Sequence, residues 1–316
     1  MRTSVFSKKC ILYVAATFIL CWSLAGVFHF AGGNWNSPAA YVVAVVYMFI
    51  PSLVTIILQK FVFHDEILQK YDVRLRWNSW VVLAWLLPAG IAILAFLVSL
   101  LIPDVSFSPT MEGMYERFSS VMGEEELESI RSDMARFPIH PFWMAIVQAL
   151  IAGITINAVV GFGEELGWRG LMLDELNHLS FWHASLVIGV IWGLWHAPLI
   201  LMGHNYPQHP VVGVPMMVAW TLLLSVLITY VRIKAATLLS AAIMHGSINA
   251  SAGLAIILVV GGNDLSVGLT GLAGFLALAV AIAGLVFYDT RLARTSVLRA
   301  ATVNEAMSNS LKDRDS

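Results

Sequence analysis

The stretch Gly161-Phe-Gly-Glu-Glu-Leu-Gly-Trp-Arg169 closes a long apolar run and places two carboxylates and a guanidinium where the chain is otherwise hydrocarbon. A charged side chain at bilayer depth costs at least ~2.5 kcal/mol on insertion scales, so such residues are usually paired and functional. The chain has 316 residues, of which 59% are hydrophobic and 12% charged, and its mean hydropathy is +0.79. A soluble domain carries about 25% charged residues. This chain lacks the polar side chains to cover a surface of its own, so its solvent is lipid. The formal net charge of −2 argues against nucleic acid as a partner. Cys10 and Cys21 both lie in the first apolar segment, which leaves no basis for a disulfide framework or a thiolate metal cluster.

A helix needs about 20 apolar residues to cross the hydrocarbon core. Eight stretches meet or approach that length, roughly 10–30, 38–58, 79–102, 139–163, 181–203, 215–231, 236–260 and 265–288. They predict an all-α, polytopic membrane protein of about eight transmembrane helices. The sixth stretch is short, and the fourth runs into Glu164 and Glu165. The first exceeds the ~7–15 residue apolar region of a signal peptide and reads as a retained anchor. Pro51, Pro88 and Pro198 fall inside apolar runs, and Pro198 is expected to kink its helix beside His196. With eight spans, fifteen Lys and Arg residues fall on one side, against only Arg117, Arg131 and Arg136 on the other. The positive-inside rule then places both termini in the cytoplasm.

Those three arginines belong to an outside loop of about 104–137. Met111, Met114, Tyr115, Phe118, Val121 and Met122 recur there at helical spacing, as do Leu127, Ile130, Met134 and Phe137. This predicts two short amphipathic helices lying on the outer surface. The acidic run around Glu124–Glu128 reads as a solvated face. Past Asp289 the tail is first basic, with Arg291, Arg294 and Arg299 placed to meet anionic headgroups. Residues 304–316 are expected to be disordered. The chain therefore divides into residues 1–137 (three helices and the outside loop), a membrane core of 138–289 and a cytoplasmic polar tail of 290–316.

Sorting polar residues by depth leaves few that can carry chemistry. They are Glu164, Glu165 and Arg169 in the fourth stretch, His196 in the fifth, and His245 and Asn249 in the seventh. With alternating spans these sets converge below the cytoplasmic surface, His245 roughly 15 Å along its helix. Glu165 and Arg169 are four apart and can pair on one helix face. Glu164 is rotated by roughly 100° and can point elsewhere. A salt bridge to Arg169 thus explains one carboxylate and leaves the other. Such a carboxylate and an imidazole can activate water, and a second histidine with an amide can stabilise an oxyanion. The His-Glu-x-x-His zinc pattern is absent. Glu164, His196 and His245 could still hold a metal such as zinc, although a reaction without a cofactor is favoured. Trp192 and Trp195 read as packing, and His29, His140 and His183 as helix hydrogen-bonding groups. His204 and His209 read as members of a solvated outer loop.

At these residues the chain resembles the CAAX prenyl endopeptidase and bacteriocin-processing family (CPBP) of intramembrane glutamic proteases, long described as metalloproteases. The family's Glu-Glu-x-x-x-Arg motif is matched by Glu164, Glu165 and Arg169. Its Phe-x-x-x-His motif appears as Trp192-Gly-Leu-Trp-His196, and its His-x-x-x-Asn motif as His245-Gly-Ser-Ile-Asn249. The resemblance covers roughly 140–255 and implies an active site buried between helices four, five and seven. Glu164 and His196 would activate the water, His245 and Asn249 would form the oxyanion hole, and Glu165 and Arg169 would support the site. The exchange of Phe for Trp192 is expected to touch no catalytic atom. The implied substrate is a membrane-associated protein or peptide, and the expected location is a bacterial plasma membrane. Two other readings are a non-catalytic immunity or scaffold protein and a proton-coupled transporter. The latter lacks the internal repeat common among transporters.

Overall fold

The computed structural model describes residues 5–35, 37–119, 123–136 and 138–315. The helices in order are α1 (Lys8–Phe30), α2 (Pro38–Ile57), α3 (Ile67–Lys70), α4 (Ser79–Ser99), α5 (Glu112–Phe118), α6 (Glu124–Arg136), α7 (Pro141–Ile154), α8 (Ile156–Glu165), α9 (Leu173–Glu175), α10 (Phe181–Trp195), α11 (Ala197–Leu201), α12 (Pro210–Ala235), α13 (Leu238–Ser251), α14 (Leu272–Arg291) and α15 (Val303–Asp315). A π-helical turn, Leu58–Val62, extends α2, and a second, Leu166–Met172, joins α8 to α9. Two short strands, β1 (Ser106–Phe107) and β2 (Val259–Val260), pair antiparallel.

All eight apolar stretches contain helix. Five helices are long and apolar enough to cross a bilayer: α1, α2 with its π turn, α4, α12 and α14. The run from α7 to α9 makes a sixth candidate, bent by 46°. The protein is an all-α, multi-pass integral membrane protein. The remaining two stretches depart from expectation. Helix α10 has 15 residues and α13 has 14, so each is only about 21–22 Å long, short of the ~30 Å hydrocarbon core. Pro198 breaks the first of these, since a proline inside a helix lacks the N–H and clashes with the preceding turn. The second was expected to continue to residue 260 but ends at Ser251, followed by a 3-10 turn. The sixth stretch is correspondingly longer than read from sequence, with 26 helical residues.

Helix α13 packs against α4, α7, α8 and α12. Glycines bring these backbones together. A Cβ on Gly246 would stand 2.5 Å from the carbonyl carbon of Asn157, and one on Gly161 would stand 3.0 Å from Ala242 O. A Cβ on Gly163 would lie 2.8 Å from Met48 O, and one on Gly167 would collide with the Tyr13 hydroxyl. Such small-residue contacts drive helix association where lipid removes the hydrophobic gradient.

Two surface expectations need correction. Helices α5 and α6 are present, but their apolar faces do not lie on the outer surface. Met111 and Tyr115 are buried in a second small core with Phe96, Leu258, Val259 and Val267, and Leu127, Ile130 and Met134 pack against it. Arg117 Nη1 ties this layer down by donating to Val259 O at 3.0 Å. Val121, Met122 and Phe137 lie outside the described residues. The tail is the second correction, because residues 303–315 are helical rather than disordered. The Val303 and Asn304 amides donate to Leu179 O (2.8 Å) and Asn177 O (2.9 Å). Buried Asp289 anchors the turn before them. It accepts from Tyr230 Oη (2.9 Å), Ser296 Oγ and the Val297 amide (2.9 Å).

Candidate active site

The two adjacent carboxylates at the end of α8 are both buried, with Glu164 1% exposed and Glu165 fully covered. They point to different partners, as their angular offset on a helix requires. Glu165 Oε1 accepts from Arg169 Nη1 at 3.0 Å and from His245 Nδ1 at 2.8 Å. Glu164 Oε2 accepts from the Trp192 indole at 2.7 Å, while its Oε1 lies 3.9 Å from His245 Nε2. The last distance is too long for a hydrogen bond, so Oε1 is not committed to the imidazole. The Glu165–Arg169 pair forms although the backbone turns π-helical at Leu166. Single π turns of this kind recur at functional sites.

His245 is buried and held from one side. A carboxylate only accepts, so Nδ1 donates to Glu165 and Nε2 faces the Glu164 side. His196 is oriented by its own helix end. Its Nδ1 lies 2.8 Å from Trp192 O, an acceptor only, so Nδ1 carries the proton and Nε2 presents a lone pair when the ring is neutral. His196 is half-buried, and Asn249, one turn beyond His245, is exposed. The structure therefore gathers Glu164, Glu165, Arg169, His245 and Trp192 into one buried cluster, in which hydrogen bonds join Glu165 to Arg169 and His245, and Glu164 to Trp192. His196 joins through Trp192, and Asn249 stands at the exposed margin.

Trp192 corrects the sequence reading. It is not mere packing, and it does touch a proposed catalytic atom. Its ring lies 5.7 Å from the His196 ring, 5.3 Å from the His245 ring and 4.8 Å from the Arg169 guanidinium carbon. Its N–H fixes the Glu164 carboxylate. A buried indole N–H usually finds an acceptor, but no spacing in the sequence says which one. Trp192→Phe keeps the ring stack but removes that donor. A hydrogen bond to a charged group contributes ≈1.5–3 kcal/mol, so the unfolding free energy is expected to fall by about that amount and turnover by roughly tenfold to a hundredfold.

Residues 138–251 match the family model described as type II CAAX prenyl endopeptidase Rce1-like. Over 44 residues the chain is 48% identical to "CAAX prenyl protease 2" of Methanococcus maripaludis. The matched stretch covers 14% of this chain and 16% of that relative. All three motifs lie inside the matched segment, whereas α1, α2, α4, α5 and α6 lie outside it. The outlying helices nevertheless reach the site. Tyr13 of α1 packs edge-on against Trp168 at 5.5 Å and seats its hydroxyl over Gly167.

Among the described residues no three His, Cys, Asp or Glu side chains are arranged to hold an ion. Glu164 Oε2, His196 Nδ1 and His245 Nδ1 are engaged with protein groups, which leaves Glu164 Oε1 and the two Nε2 atoms without a protein hydrogen-bond partner among the described residues.

Proposed function

We propose that this chain is an intramembrane endopeptidase of the CAAX-protease type, hydrolysing a peptide bond of a membrane-associated protein or peptide. The observation that carries the reading is the buried Glu164 held by an indole on one oxygen, with its other oxygen facing His245. The matched family segment supports the same reaction class. Glu164 and His196 Nε2 take the proton of a water whose oxygen attacks the scissile carbonyl carbon. His245 and Asn249 donate to the oxygen that becomes negative. For His245 this needs a proton on Nε2 while Nδ1 still donates to Glu165, which is the doubly protonated ring. Collapse of the tetrahedral intermediate breaks the C–N bond and returns the proton to the leaving amine. Arg169 and Glu165 keep the His245 ring in place.

We further assign the membrane core 138–289 as the catalytic unit, both termini to the cytoplasm and the protein to a bacterial plasma membrane. No cofactor is required in this scheme. The test is cleavage by purified protein of a peptide library containing both prenylated and unprenylated cysteine peptides, before and after exhaustive chelation. Cleavage is expected to survive chelation, with no stoichiometric zinc in the protein. One zinc per chain required for turnover would reverse the assignment of the chemistry. Absence of any cleavage would favour a scaffold or immunity role.

A further inference from the structure

The break at the end of α10 leaves unusual backbone chemistry beside His196. In a continuous helix the Leu199 amide would donate to Trp195 O. Here it donates to His196 O at 3.0 Å, and the Ile200 amide goes to the same carbonyl at 3.1 Å. Trp195 O is thus released from the helix ladder while remaining in the protein interior, where an unpaired carbonyl is costly. Two side chains from outside the family segment take it up. Tyr47 of α2 donates its hydroxyl to Trp195 O at 2.7 Å, and Trp22 of α1 donates its indole N–H to the same oxygen at 3.3 Å. Tyr47 is fully covered, and its ring sits 4.5 Å from the Trp195 ring. The Trp195 ring in turn stands edge-on to His196 at 4.7 Å.

We infer that Tyr47, assisted by Trp22, is a positioning residue for His196, so that the N-terminal helices complete the site of the matched segment. The clamp fixes the peptide unit joining Trp195 to His196. Its rotation would carry the imidazole away from Trp192 O and so misdirect Nε2. This rests on the proposed role of His196 in water activation, but the geometry can be read without activity. Tyr47→Phe deletes only the hydroxyl and retains the ring contact. Trp22→Phe is the milder second variant, because Trp22 is 44% exposed at the rim of the bundle.

The deciding measurement is the rate at which diethylpyrocarbonate modifies His196 in the folded, detergent-solubilised chain, followed by mass spectrometry, with the unfolding midpoint as control. We expect at least a severalfold change in Tyr47→Phe and a smaller one in Trp22→Phe. The midpoint should fall only modestly, and His245 reactivity should stay unchanged. On a cleavable peptide, kcat should drop about tenfold with KM unaltered. An unchanged His196 rate in a folded Tyr47→Phe protein overturns the inference, as does a rate change shared equally by His245. If the wild type cleaves nothing, the peptidase reading fails, and the His196 rate alone still decides whether the clamp exists.

Discussion

Glu164→Gln is expected to abolish most peptide cleavage and leave the protein folded. The amide retains the shape of the side chain and an oxygen to accept the Trp192 indole, now at 2.7 Å from Glu164. It cannot take a proton from water. General-base removal costs typically 10²–10⁴-fold, and the loss should appear in kcat, with KM and the unfolding midpoint near wild type. The neighbouring carboxylate supplies the contrast. Glu165→Gln removes one partner of Arg169 and weakens the hold on His245, so its signature is lowered stability as well as lowered activity. Equal full activity in wild type and Glu164→Gln would remove Glu164 from the mechanism and with it the proposed reaction.

Arg169→Met is expected to give the largest loss of stability. The guanidinium and the Glu165 carboxylate are both fully covered and 3.0 Å apart, and the guanidinium also lies against the Trp192 ring. Removing one member of a buried pair leaves the other charged and unsolvated, which typically costs 3–5 kcal/mol. The expected readout is a large drop in unfolding free energy in detergent, with much reduced yield. Replacing both members is less damaging, because no uncompensated charge remains. Arg169→Met combined with Glu165→Gln should therefore recover a good part of the single-variant loss, since the substituted amide would keep an oxygen for His245 Nδ1. A double variant as unstable as the sum of the singles would show that the two side chains are not coupled.

Much of this site is legible in the sequence. Side chains four apart on a helix share a face, so the Glu165–Arg169 pair follows from spacing alone. The same geometry turns Glu164 away from its neighbour. The identity of Glu164's partner was not legible. Trp192 is 28 residues away in sequence, and its indole is equally at home in a core. The α10 break could be anticipated from Pro198. Its consequence could not, because the groups that satisfy Trp195 O come from α1 and α2. The expected length of α13 failed for a related reason: apolar composition continues to residue 260, but the segment after Ser251 packs as turns and a strand, β2, paired with β1. Hydropathy reports burial and does not distinguish a helix in lipid from an irregular segment covered by protein.

The sequence by itself determined that this chain lives in a membrane, which of its residues are too costly to be there without purpose, and which of them share a helix face. Those follow from transfer energies and from the helical repeat, both local properties. Only the tertiary structure decided how the carboxylates divide their partners, that Trp192 binds Glu164, and that helices outside the matched segment hydrogen-bond the backbone beside His196. Each of those depends on helices remote in sequence approaching within hydrogen-bonding distance. Glycines such as Gly161 and Gly246 permit that approach, but no periodicity along the chain can specify it.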